Sequence, residues 1–231
     1  MKSLERTARL AGFLYLLVTL AGPFVLLYVP GKILVPGDAT ATIKRILDHE
    51  SLFQAGIVVG FVSQLLFVFL VLTLYRLFEG VNRRLAVAMV VLILLDAPLA
   101  FLGLANEVAT LGIARGADFL AVFDEPQRDA LAMLLLEADR AGTLVSQVFW
   151  GLWLFPLGIL VHRSGFVPRL IGLWLIANGI AYVALSVTGL YYPAYRQDLL
   201  VYATPILFGE VALMLWLLIV GVRTRAPAPL E

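Results

Sequence analysis

The sequence predicts an all-α fold: a bundle of six transmembrane helices, both chain termini on the cytoplasmic side, with short amphipathic helices on the outer side. Three observations carry this. Hydrophobic residues make up 61% of the 231 positions and charged residues 14%, where a soluble domain carries about 25% charged. Mean hydropathy is +0.96. The apolar residues gather in six long runs, and a helix needs roughly 20 of them to cross about 30 Å of hydrocarbon. Helices are the expected element because backbone groups in lipid must satisfy one another. The alternating ten-residue pattern of a membrane barrel is absent.

The predicted spans are 9–29, 52–77, 85–112, 140–162, 168–190 and 202–222. With their connections they use up the chain, so residues 1–231 read as one integral membrane domain. The run from Leu10 to Val29 follows a basic start, and no small-residue cleavage site comes after it. It reads as a retained helix rather than a signal peptide. In the first outer connection Asp38 is placed to cap a short helix whose Ile43, Ile46 and Leu47 fall on one face. The second span carries a GxxxG pattern at Gly56 and Gly60, a signature of close helix contact that also arises by chance. The connections from Glu79 to Arg84 and from Arg163 to Pro168 are tight. Pro126, behind Asp124 and Glu125, is placed to open a further helix. A helix from Pro126 to Val161 would run about 54 Å, too long for one crossing, so its first part lies on or stands out from the outer surface. Tyr191, Tyr192 and Tyr195 read as an interfacial aromatic belt.

Charge sets the orientation. Lys2, Arg6, Arg9, Arg76, Arg83, Arg84, Arg163, Arg169, Arg223 and Arg225 share one side, giving ten basic residues; Lys32, Lys44, Arg45, Arg115, Arg128 and Arg196 give six on the other. The positive-inside rule then places both termini in the cytoplasm. The same composition excludes function classes. A net charge of +1 argues against nucleic acid as a partner. With no cysteine there is no disulfide, thiolate metal site or cysteine nucleophile. His49 and His162, the two histidines, are not placed for haem or metal inside a span, so no metal ligands are assigned. No HExxH, GxSxG or glycine-rich phosphate loop is present. The cofactor is unknown.

Polar residues inside the spans carry whatever chemistry there is. Asp96 sits in the third span, with Gly103 and Glu107 on the same helix face. Glu210 lies in the sixth span. Asn178 lies in the fifth, on a face shared with Trp174, Tyr182 and Gly189. Gln64 and Gln147 are the polar residues of the second and fourth spans. A charged carboxylate is costly in lipid, so Asp96 and Glu210 are expected to face the bundle interior, protonated, hydrated or paired with Arg140. Asp96, Glu210, Asn178, Gln64 and Gln147 then form a candidate polar pocket for a proton, a cation or an amine. The alternative is that these groups only tie helices together. Glu107, Glu137 and Arg140 read as an outer-side ion-pair cluster, with Glu137 and Arg140 at i, i+3. Pro23, Pro98, Pro156 and Pro205 fall within or near spans, where proline kinks a helix or merely packs. No broken helix is evident beside the acids.

A faint repeat runs through the chain. The strings Arg9-Leu10-Ala11-Gly12, Arg84-Leu85-Ala86-Val87 and Arg169-Leu170-Ile171-Gly172 each open an outward helix. Gln64, Gln147 and Glu210 each precede a terminal arginine by 12 to 16 positions. Three parallel-related hairpins would give this pattern.

The strings Arg163-Ser164-Gly165-Phe166-Val167-Pro168-Arg169-Leu170-Ile171-Gly172, Val35-Pro36-Gly37-Asp38 and Arg9-Leu10-Ala11-Gly12-Phe13-Leu14-Tyr15-Leu16 carry a resemblance. The chain resembles a family of small bacterial membrane proteins catalogued as domain of unknown function 4386, from about Arg6 to Val222, most specifically over 151–172. The resemblance implies a six-helix inner-membrane protein with no assigned activity. It also implies a carboxylate near Asp96, in some members with an arginine one turn earlier, where this chain has Ile93.

Three readings of function follow. One is a non-enzymatic integral membrane protein, either an accessory subunit of a membrane complex or a binder of a lipid-like or apolar small molecule. It would have the lipid bilayer, a membrane-protein partner or a second copy as partners. The second is a small proton- or cation-coupled transporter using Asp96 and Glu210. The third is an intramembrane enzyme on a lipid-like substrate, with Asp96, Glu107 or Glu210 as general acid or base.

Overall fold

The computed structural model describes residues 2–222. Arg223 and Arg225, counted above toward the cytoplasmic side, lie outside the described residues. In chain order the helices are α1 (Lys2–Pro23), α2 (Val29–Ile33), α3 (Ala39–Asp48), α4 (Glu50–Ala114), α5 (Glu125–Leu152), α6 (Leu154–Ser164), α7 (Arg169–Tyr191), α8 (Arg196–Leu207) and α9 (Gly209–Leu215). No strand occurs among the described residues. Five helical stretches are long and apolar enough to cross a membrane: Ser3–Ile33, Glu50–Ala114, Glu125–Ser164, Arg169–Tyr191 and Pro193–Val220. They point to a membrane protein.

The second of these joins two predicted spans. Its 65 residues would reach about 98 Å as a straight rod. It is not straight, because Asn82 adopts an extended backbone (φ −160°, ψ 104°). The Asn82 side-chain oxygen accepts a hydrogen bond from the Leu85 amide at 3.1 Å, which caps the helix that restarts after it. Contacts on either side are nearly equidistant from Asn82. Phe61 and Phe101 rings lie 5.7 Å apart, Gly60 abuts Leu104, and Glu50 pairs with Arg115. The two arms therefore run antiparallel.

Local signals formed as their chemistry dictates. Asp38 caps α3, its carboxylate accepting from the Ala41 amide at 2.8 Å. Ile43 and Ile46 are buried beneath it, whereas Leu47 is exposed, so the buried face of α3 is completed by Thr42 rather than Leu47. At the start of α5 Asp124 accepts from the Gln127 amide and Gln127 accepts from the Asp124 amide, a reciprocal capping box. Pro156 lacks the amide that would bond the Leu152 carbonyl, and the helix is interrupted there, at Trp153, between α5 and α6. Pro23 closes α1 and a π turn follows it over Phe24–Tyr28. Pro98 stays within α4.

The backbone forms two compact units. Of the described residues, the first comprises 2–16, 67–96 and 144–222; the second comprises 17–66 and 97–143. In the first, Trp153 is fully buried, with the Phe67 ring edge-on at 5.3 Å and the Tyr15 ring at 6.4 Å. Leu70, Leu74, Phe78, Met89, Ile93, Leu157, Leu160 and Leu213 complete that core. α7 lies against α5 and α6 through glycines. A side chain on Gly151 would meet the Gly179 carbonyl at 2.5 Å, and one on Gly172 would meet the Gly158 carbonyl at 2.6 Å. In the second unit Val29, Ile33, Ile43, Ile46, Phe53, Leu111 and Ala132 form the core. Gly56 faces Val29 there and Gly60 faces Leu104, so the two glycines of the GxxxG pattern serve different neighbours.

Candidate functional site

The first unit holds a chain of buried polar and aromatic groups drawn from every one of its long helices. Glu210 stands in the first turn of α9, just past an interruption at Phe208 that separates α8 from α9. Tyr15 on α1 donates its hydroxyl to one Glu210 carboxylate oxygen at 2.5 Å. Asn178 on α7 donates to the other at 3.5 Å and to the Leu207 carbonyl, at the end of α8, at 3.2 Å. The Tyr182 hydroxyl, one turn along α7, lies alongside the same carboxylate. Gly209 lets α7 close in, since a side chain there would strike Trp174 at 3.0 Å. The expectation of no broken helix beside the acids is thus corrected. Phe208 interrupts the helix two residues before Glu210, three residues after Pro205.

Asp96 is fully buried. The Trp150 indole donates to one of its oxygens at 3.0 Å, and Ser146, one turn earlier on α5, neighbours the carboxylate. Trp150 also stands edge-on to Tyr182, ring centres 6.0 Å apart. Asp96 and Glu210 are therefore linked in sequence as Asp96, Trp150, Tyr182, Glu210, with Tyr15 and Asn178 as further donors. No hydrogen bond or ion pair joins the two acids directly among the described residues.

The network is short of donors. The second Asp96 oxygen and the Asn178 side-chain oxygen are buried with no hydrogen-bond partner among the described residues. Both are acceptors, and a buried acceptor left bare costs roughly 1–3 kcal/mol. Each partner of the two acids is a neutral donor, and no lysine or arginine bonds them among the described residues.

The other sequence-selected groups go elsewhere. Gln147 accepts from Arg196 at 3.3 Å, and the same guanidinium nitrogen donates to the Leu185 carbonyl at 2.7 Å. Gly189 leaves room for it, since a side chain there would meet that nitrogen at 2.7 Å. In the second unit the Gln64 amide nitrogen is buried without a partner among the described residues. Glu137 and Arg140 pair at 3.6 Å on an exposed surface. Glu107 is not joined to them. It lies instead near the Asp139 carboxylate, which occupies the space a side chain on Gly103 would fill. Among the described residues no group of three or more His, Asp or Glu side chains is placed to hold a metal ion.

Sequence reasoning missed Tyr15, Trp150 and Ser146 as members of these clusters, and it placed Asp139 with Glu137 and Arg140 rather than beside Glu107. Tyr15 and Glu210 are 195 positions apart, so no spacing rule connects them. Tyr182 was legible as a face-mate of Asn178.

The family described as Domain of unknown function (DUF4386) matches residues 10–221. The chain belongs to that family. The match takes in Tyr15, Asp96, Trp150, Asn178, Tyr182 and Glu210 alike. No curated protein matches the chain, and no solved structure does.

Proposed function

We propose that the chain is a non-enzymatic integral membrane protein of the bacterial inner membrane that takes up a proton or small cation at Glu210 and Asp96, as the binding element of a small carrier. Its six spans would follow from dividing Glu50–Ala114 at Asn82, with both termini cytoplasmic and residues 1–231 forming a single membrane domain. Tyr191, Tyr192 and Tyr195, all exposed, would lie in the outer interfacial belt.

One observation carries this reading. Two interior carboxylates are held by neutral donors only, beside an interrupted helix, in a network that lacks donors for two buried oxygens. A group that served only to bind helices together would have its hydrogen bonds completed. Helix interruptions beside an acid are also where carriers bind their coupling ions.

The test uses the full chain in proteoliposomes loaded with a pH-sensitive dye. After a pH jump, with and without a sodium gradient, wild type is expected to equilibrate faster than protein-free vesicles. Glu210→Gln and Asp96→Asn, purified at wild-type size and yield, are expected to fall to the protein-free rate. If wild type matches empty vesicles, or both variants match wild type, the acids are helix glue and the accessory-subunit reading replaces this one.

A further inference from the structure

We infer that Arg83 and Arg84 form a binding site for the head group of an anionic phospholipid, with the acyl chain running along the face of α4 that follows them. This is independent of the interior acids. Arg83, Arg84 and Val87, on one turn of α4 just past Asn82, line a largely open surface hollow that is mostly apolar. Both arginines are exposed. Two guanidinium groups over such a hollow match a phosphodiester joined to a hydrocarbon neck. A guanidinium forms paired hydrogen bonds to phosphate oxygens, and long basic side chains lay their stems on apolar surface.

The apolar part continues in register. Arg84, Val87, Val91, Leu94 and Leu95 recur at helical spacing and share one face. Val87, Val91, Leu94 and Leu95 are 44%, 46%, 48% and 56% exposed. From Val87 to Leu95 the stripe is about 12 Å long, enough for a large part of an acyl chain. Free phosphate would use the guanidinium groups but not the apolar walls, which is why the site is assigned to a phospholipid. The remaining charges of this connection, Arg76 and Glu79, cancel and do not line the hollow.

The full chain is placed in nanodiscs of phosphatidylcholine, with and without phosphatidylglycerol, and its melting temperature is read. Phosphatidylglycerol is expected to raise it by about 2–4 °C in wild type, less in high salt. The rise is expected to vanish in the Arg83→Gln, Arg84→Gln double variant and to persist in Arg76→Gln. An undiminished rise in the double variant, or an equal loss in Arg76→Gln, overturns the site in favour of general surface charge. Inorganic phosphate reproducing the rise in phosphatidylcholine discs overturns the phospholipid assignment. Should the double variant fail to fold, native mass spectrometry of wild type from a mixed-lipid membrane decides. Enrichment of phosphatidylglycerol over its bulk fraction supports the site, and its absence overturns it.

Discussion

Replacing Gly172 by alanine tests one of the close helix contacts among the described residues. The added methyl carbon would stand 2.6 Å from the Gly158 carbonyl oxygen, 2.7 Å from the His162 nitrogen and 3.0 Å from its Cα, all backbone atoms that no rotamer change can move. An ordinary contact begins at 3.4 Å, so α6 and α7 must part by about 0.8 Å. A gap of that size forfeits roughly a quarter to a half of each neighbouring dispersion contact, and overpacking of this kind costs about 1–3 kcal/mol. Alanine recovers about 0.5–1 kcal/mol through helix propensity. The net loss is roughly 1–2 kcal/mol, or a melting temperature lower by roughly 2–8 °C. The control is Gly142→Ala in α5, where an added carbon meets nothing within 4 Å; it should equal or exceed wild type. Thermal unfolding of the detergent-solubilised protein, followed by size-exclusion fluorescence, reads both. If Gly172→Ala melts with Gly142→Ala, the glycine-to-glycine contact is not there and the packing of α7 must be redrawn.

Two further substitutions separate local from surface effects. Asp38→Ala removes the cap of α3 and is expected to cost about 1 kcal/mol, with Asp38→Asn restoring most of it in the same melting assay. Arg140→Ala breaks an exposed pair at 3.6 Å and is expected to change stability by less than about 0.5 kcal/mol. A larger loss would mean that Arg140 reaches a buried acid in the membrane.

What the sequence made legible was local or forced by solvent. Apolar runs become helices because lipid offers the backbone no partners, so the positions of the long helices were readable, with ends that extend beyond the apolar cores. The cap at Asp38, the helix opening near Pro126 and the i, i+3 pair of Glu137 with Arg140 depend on neighbours in sequence. The interior was only partly legible. That Asp96 and Glu210 are functional candidates follows from the cost of their placement, but their partners Tyr15 and Trp150 come from other helices and carry no spacing signature. Glu107 was assigned to the ion-pair cluster by its place at the outer end of its span, whereas packing sets it near Asp139. The three polar residues of the faint repeat also diverge chemically: Gln64 lacks a partner for its amide nitrogen among the described residues, Gln147 holds Arg196, and Glu210 gathers tyrosines. Segment 151–172, expected to carry the resemblance most specifically, makes close packing contacts. Gly151 and Gly158 admit α7, and Gly165 takes a left-handed turn (φ 73°). The Phe166 carbonyl accepts from Trp216 at 3.3 Å.

The single extended residue at Asn82 bears on how the chain is made. Two apolar helices joined through one residue have no loop to wait in water while the second is synthesised. Neither arm can settle in a bilayer without committing the other to the opposite direction. If both arms cross a bilayer, residues 50–114 would have to enter as one object, with Arg76, Arg83 and Arg84 held beside the joint. Inserting a tag or cleavage site at this joint would add the freedom that the sequence withholds, and would let the arms choose sides separately.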